Sequence, residues 1–347
     1  MIISRIVKTT TAACVLGLTL AAPALAEKTI RLSILHPEDP YNNAQGAMAT
    51  VFKSLVEVGT NGSVNVQIFP DGTLGKDNEV IQQMRDGIIQ ANISSSGGLA
   101  QHYPLMGIFD MPFLYANIAD AQDVVSLESD FGKMFAADIE EKLDVEVLGM
   151  IEAEGFFSIT NSVRPIETLE DMAELKIRTM TLPTHEELIR SLGGAPTPLP
   201  WPEVYTALQT GVVDGQMNPI PIVAHAKFSE VQEYLTITQH LLTPYTLMMN
   251  SDFYNSLTDE ERYVVDYAAR SAVYAGKGIG RINEASDKGL AGLREAMKVN
   301  MIAPAELERF AEAAQPAVLA LIEEKFGQEG LDMVNALQAE IARVSGN

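Results

Sequence analysis

One cysteine, one tryptophan and five histidines in 347 residues leave little of the chemistry that marks a metalloprotein or a nucleophilic enzyme. A single thiol, Cys14, excludes disulfides and thiolate metal sites by count. His36, His102, His185, His225 and His240 are scattered, with no H-E-x-x-H and no pair at i, i+4, so zinc ligation has no spacing to rest on and no metal is expected. Cations are scarce as well. Lys and Arg total 24 against 46 Asp and Glu, a formal charge of -22, and so acidic a surface repels phosphate backbones and anionic lipid heads. Nucleic acid is therefore excluded as a partner. An anionic small molecule is not, because donors in a cleft outweigh a net charge that salt screens beyond about 10 Å. There is no repeat, low-complexity run or Pro-rich tether.

What is present is a leader and a core. Arg5 and Lys8 precede an apolar run from about Thr11 to Leu20, too short to span a bilayer. Pro23 and the small-x-small triplet Ala24-Leu25-Ala26 follow, so residues 1-26 read as a secretory signal cleaved before Glu27. Cys14 lacks the preceding Leu of a lipoprotein signal and leaves with the leader, and losing two cations and no acid takes the charge from -22 to -24. The 47% hydrophobic content and the length suit one large or two medium domains of an exported protein.

Along the mature chain, strands alternate with helices. Ile30, Leu32 and Ile34 alternate with polar neighbours, Ala44, Ala47, Met48, Val51, Phe52 and Leu55 recur at helical spacing, and Val64, Val66 and Ile68 alternate again. That is a βαβ unit with a parallel pair. Val80, Ile81 and Met84 mark the next helix and Ala91 to Ser94 the next strand. A second α/β region opens near Val145, with strands at 145–148, 157–160 and 175–178, a short helix capped by Thr168 and Asp171, a helix after Pro202 stopped by Gly211, and a strand restarting at Val212. From Thr258 and Glu261, a capping box, helical periodicity runs to about Met297, a helix of nearly 60 Å if unbroken and long enough to brace two lobes. Ligands in such sheets sit outside the carboxyl ends of strands, here His36, Asp77 and the Ser94-Ser95-Ser96-Gly97-Gly98 run.

Catalytic motifs fail on inspection. Gly72 to Lys76 lacks the spacing and the Ser/Thr of a phosphate loop and reads as a turn; Gly276-Lys277-Gly278-Ile279-Gly280 lies inside a helix with no strand before it and reads as a close helix contact. Ser94 to Gly97 is not G-x-S-x-G. An α/β enzyme would need an acid-base pair or a metal that no spacing supplies, and no cofactor is expected.

The stretch WPEVYTALQTGVVDGQMNP, residues 201–219, resembles the signature of the solute-binding proteins of tripartite ATP-independent periplasmic (TRAP) transporters, the DctP-type family. The resemblance continues in LSILHP, FPDGTLGKDNEVIQQMRDG, YPLMGIFDMPFLY, TNSVRPIETLEDMAELKIR, GGAPTPLPW and EVQEYLTITQH, covering nearly the whole mature chain. It implies an α/β, two-lobed periplasmic-binding-protein (Venus flytrap) fold, with residues 27-153 and 244-283 as lobe I and 154-243 and 284-347 as lobe II. The lobes would close around a small organic acid and deliver it to the membrane permease subunits. A ligand-sensing protein for a signalling receptor would use the same fold and pocket.

By the same resemblance, Arg178 at the end of LKIR corresponds to the substrate-carboxylate clamp, with a surface ion pair as the bland alternative. Asn218 of VDGQMNP matches an amide that donates to the ligand, and Trp201 would floor the pocket; a turn and a core packing role are their alternatives. Ser95, Asp77 and Tyr245 are placed in the cleft by counting, His36 and Leu35 by standing at the end of the first strand, and the sequence does not decide between structural and contact roles for His36. Many dicarboxylate and sugar-acid members carry a second Arg in the strand before TNS, whereas this chain has Gly155-Phe156-Phe157-Ser158. One guanidinium suits a monocarboxylate, a sulfonate or a zwitterion, and Trp201, Tyr245 and Phe157 could form a wall for an aromatic acid or a cyclic, ectoine-like zwitterion.

Overall fold

The computed structural model describes residues 28–346; the leader read at residues 1-26 lies outside them. Two mixed sheets form the frame. The first has the order β2-β1-β3-β10-β4, built from β1 (Lys28–Ile34), β2 (Val64–Phe69), β3 (Ala91–Ser95), β4 (Val145–Ile151) and β10 (Tyr245–Asn250). β1 runs parallel to β2 and β3, while β10 is antiparallel to β3 and β4. The second sheet has the order β11-β9-β5-β8-β6-β7, from β5 (Phe157–Asn161), β6 (Lys176–Thr179), β7 (Ala195–Pro198), β8 (Gly215–Pro219), β9 (Tyr234–Ile237) and β11 (Lys298–Met301). The chain passes from first sheet to second between Ile151 and Phe157, and returns between Ile237 and Tyr245.

Each sheet exists because its strands have apolar faces to bury. Ile30, Leu32 and Ile34 are fully buried against Ala47, Met48, Phe52 and Val56 of the helix α1 (Ala44–Gly59), whose apolar stripe follows the 3.6-residue period. Asn43 caps α1 by accepting from the Gly46 N–H at 2.6 Å. The long helix Asp259–Ala285 starts at the Thr258–Glu261 capping box and lies on α1. Two glycines let this helix pack closely, one on α1 and one on the crossing after β4. A Cβ on Gly276 would sit 2.8 Å from the Met48 side chain, and one on Gly280 would sit 1.6 Å from the Ala153 carbonyl oxygen. The glycine run at 276–280 is thus a helix contact, as read.

Three features differ from the sequence reading. The long helix stops at Ala285, after 27 residues or about 40 Å, and a second helix occupies Leu290–Ala296. At Ser286 the backbone turns extended and Gly289 folds back so closely that a Cβ there would meet the Glu284 carbonyl oxygen at 2.3 Å. The strand expected from Val212 begins at Gly215, because the Val212 N–H donates to the Ala207 carbonyl in the turn that ends the preceding helix. The terminal helix Pro304–Val344 went unread. It kinks at Gly327 (φ 57), buries Phe310, Ala314, Val318 and Ile322 before the kink and Val334 and Leu337 after it, and packs on the helix Pro183–Ser191 and on 104–110, 118–124 and 130–143.

Candidate functional site

All eight residues singled out in the sequence line one enclosed cavity of about 70 Å³. His36, Asp77, Ser95 and Tyr245 come from the first sheet and its loops; Phe157, Arg178, Trp201 and Asn218 come from the second. They meet because His36 follows β1, Asp77 opens the helix α2 (Asp77–Arg85), and Ser95 ends β3 with Tyr245 opposite it on β10. On the other side, Arg178 of β6 stands beside Gln216 of β8, and Asn218 is opposite Ser158 on β5.

Arg178 is 2% exposed. Its Nε and Nη2 both donate to the Leu199 carbonyl, at 3.0 and 2.7 Å, and its Nη1 has no partner. No carboxylate pairs with it among the described residues, and burial alone pushes its pKa down to about 9. A guanidinium held by one carbonyl on one edge presents the opposite edge to the cavity, still charged at neutral pH.

Asn218 is fixed by a relay: its Nδ2 donates to Gln216 Oε1 at 2.5 Å, Gln216 Nε2 to Thr160 Oγ1 at 3.0 Å, and Thr160 Oγ1 to Gln232 Oε1 at 2.9 Å. One amide N–H remains for a ligand. Trp201 opens a 3₁₀ turn after Pro200 and packs on Phe228 at 5.8 Å and on His36, across the cleft, at 5.3 Å. The His36 ring also stacks on His225 at 5.4 Å and meets the Tyr245 edge at 6.3 Å. Burial and the neighbouring His225 lower its pKa to about 3, so His36 is neutral.

Two acids also line the cavity. Asp77 accepts from Ser95 Oγ at 2.8 Å, and burial raises its pKa to about 7. It lies so close to the next helical turn that a Cβ on Gly98 would fall 2.2 Å from its own. Glu154, missed in the sequence, accepts from the Tyr245 hydroxyl at 2.9 Å and has its pKa raised to about 8 by burial. The signal was available: Ile151-Glu152-Ala153-Glu154-Gly155 sets two acids in an apolar crossing. Glu152 is spoken for by the Glu154 and Gly155 N–H groups and by Arg281 at 3.7 Å. Glu154 is the one that faces the cavity.

The lobes touch across the cavity mouth. Lys76 Nζ pairs with Glu203 at 2.9 Å, Gln101 Nε2 donates to Thr181 Oγ1 at 3.1 Å, and a Cβ on Gly97 would clash with Met180 at 2.7 Å. The geometry is that of a shut cleft. Among the described residues no His, Cys, Asp and Glu group could hold a metal, and no helix is long and apolar enough to cross a membrane.

A family model, DctP, the bacterial extracellular solute-binding proteins of family 7, matches residues 36–325. The chain belongs to this family. It is similar to the ectoine/5-hydroxyectoine-binding periplasmic protein UehA of Ruegeria pomeroyi, 33% identical over 339 residues and 94% of each chain. It is 31% identical over 315 residues to the 2,3-diketo-L-gulonate-binding periplasmic protein YiaO of Escherichia coli, covering 90% of this chain and 92% of that one. Among solved structures, a TRAP periplasmic solute-binding protein from Polaromonas sp. JS666 bound to D-erythronate superposes with a TM-score of 0.81 at 33% identity, over 90% of this chain and 99% of that chain. The protein is therefore a periplasmic, non-catalytic TRAP receptor that takes up a small organic solute and delivers it to a membrane permease.

Proposed function

We propose that this receptor holds the carboxylate of its solute on the free edge of Arg178, with the remaining N–H of Asn218 beside it. One observation carries the reading: a buried guanidinium with an unpartnered Nη1 and no acid of its own, facing an enclosed cavity. Leaving such a charge uncompensated costs several kcal/mol, and a ligand carboxylate recovers it through charge-assisted bonds.

The strand that carries a second Arg in many relatives here presents Phe157, and the other cation lining the cavity, Lys76, is already paired with Glu203. A dianion would keep one charge without a partner. A monocarboxylate, a sulfonate or a zwitterion fits, within the range shown by relatives whose solutes include ectoine, diketogulonate and erythronate. Calorimetric titration with malate, a 2-oxo monoacid, an aromatic acid and ectoine tests this; tight binding of malate alone overturns it.

Closure follows from the division we infer, lobe I as 27-153 and 244-283 and lobe II as 154-243 and 284-347, supported by the membership of the two sheets. The solute stabilises the shut state by contacting both walls. Export by a leader cleaved before Glu27 is part of the same reading, and mass spectrometry of the protein recovered from the periplasm, starting at Glu27 or elsewhere, decides it.

A further inference from the structure

We infer that the solute carries a positive charge opposite its carboxylate, so that this receptor is built for a compact zwitterion, with Glu154 and Asp77 as the acceptors of the cationic end. The inference rests on the carboxylate clamp proposed above and goes beyond it to the other wall of the cavity.

The cavity is lined by groups of both signs. On the second-sheet wall stands Arg178, which has no carboxylate partner. Asp77 opens α2 beside the first sheet and Glu154 lies on the crossing after β4, each with one neutral hydroxyl donor, Ser95 for the first and Tyr245 for the second. Among the described residues neither acid forms an ion pair, and the second oxygen of each makes no hydrogen bond. Lys76, the neighbour that could have served Asp77, points to Glu203 instead. Arg281, beside the crossing, pairs with Glu152 and Glu284.

The two signs do not neutralise each other either. No carboxylate offsets the effect of burial on Arg178. Trp201, Tyr245 and Phe157 line the same cavity.

A shut, low-dielectric cavity that holds an unpaired guanidinium and two carboxyls without cations favours a ligand that supplies both missing partners. A simple monoanion would satisfy Arg178 and leave two buried carboxyls against an apolar surface. A zwitterion satisfies both ends in one closure, and the aromatic sides favour a cationic ring over an extended chain. Burial raises the pKa of these acids to about 7 and about 8, and a cationic ligand group beside them would draw them to the carboxylate form.

The test is a titration panel at one pH, using zwitterions (ectoine, proline, proline betaine), their uncharged-ring counterparts (cyclohexanecarboxylate, cyclopentanecarboxylate) and a polyol acid (erythronate). A zwitterion should be the tightest ligand, by about tenfold or more over its ring counterpart. Glu154→Gln or Asp77→Asn should lower zwitterion affinity about tenfold or more and cycloalkane-acid affinity by much less, with circular dichroism and a thermal melt showing that each variant is folded. The inference is overturned if no zwitterion binds, if erythronate or a cycloalkane acid binds as tightly, or if the variants weaken both classes alike. Failure of the clamp reads differently: Arg178→Met would then leave every ligand bound.

Discussion

Replacing Arg178 by Met should move binding and stability in opposite directions. The side chain is buried without an acid, and the fall of its pKa from 12.5 to about 9 corresponds to about 4 to 5 kcal/mol spent on keeping the charge in a dry site. Met fills most of the same volume without that charge. Against this gain stands the Leu199 carbonyl, which loses both donors at a cost of about 1 to 3 kcal/mol. The net expectation for the empty receptor is a gain of about 1 to 4 kcal/mol, or a few degrees in Tm. Binding changes the other way. Two charge-assisted bonds at about 1.5 to 3 kcal/mol each predict a loss of about 10² to 10⁴ in affinity. Thermal melts without solute, and calorimetry with the best acid found, measure the two effects. A variant that melts several degrees lower when empty would show Arg178 to be a structural residue. One that still binds would remove the clamp.

Other outcomes follow from the same geometry. Glu154 binds its proton more tightly folded than unfolded, since its pKa rises from 4.5 to about 8 with Tyr245, Glu152 and Arg281 around it. The empty receptor should therefore lose stability as pH rises from about 4.5 to 8, by at most about 1.4 kcal/mol per pH unit from this group, and Glu154→Gln should flatten that slope in denaturant titrations. Phe157→Arg restores a second cation at the cavity wall and should let malate bind, at least tenfold more tightly than to the parent, in the same calorimetric assay. Breaking the half-exposed Lys76–Glu203 pair with Glu203→Gln should weaken solute affinity less than about fivefold, chiefly through a faster off-rate seen in stopped-flow fluorescence of Trp201. Gly280→Ala should destabilise the chain strongly in a thermal melt, because the Ala153 carbonyl occupies the space of the new methyl.

Local patterning made the frame legible. Ile30, Leu32 and Ile34 with the stripe of α1 announce the first βαβ unit, because burial on one face of each element imposes its own period on the sequence. The site residues were reached by resemblance and by counting along strand ends, and the cavity gathers all eight. Three things escaped for physical reasons. The break after Ala285 depends on how Gly289 packs against the Glu284 carbonyl, a contact that helical periodicity does not record. The terminal helix Pro304–Val344 carries its apolar residues on faces that change direction at Gly327, so no single stripe marks it. Glu154 carries no local mark, since nothing nearby says which of Glu152 and Glu154 faces inward; that is settled by Tyr245, 91 residues away, donating to one of them.

The most direct measurement is a crystal structure of the receptor with its tightest acid, shut over it. The ligand carboxylate should lie within hydrogen-bonding distance of Arg178 Nη1 and the Asn218 amide, between the two sheets. A solute seated elsewhere, or one whose carboxylate turns toward Asp77 and Glu154 with the guanidinium still unpartnered, would contradict it.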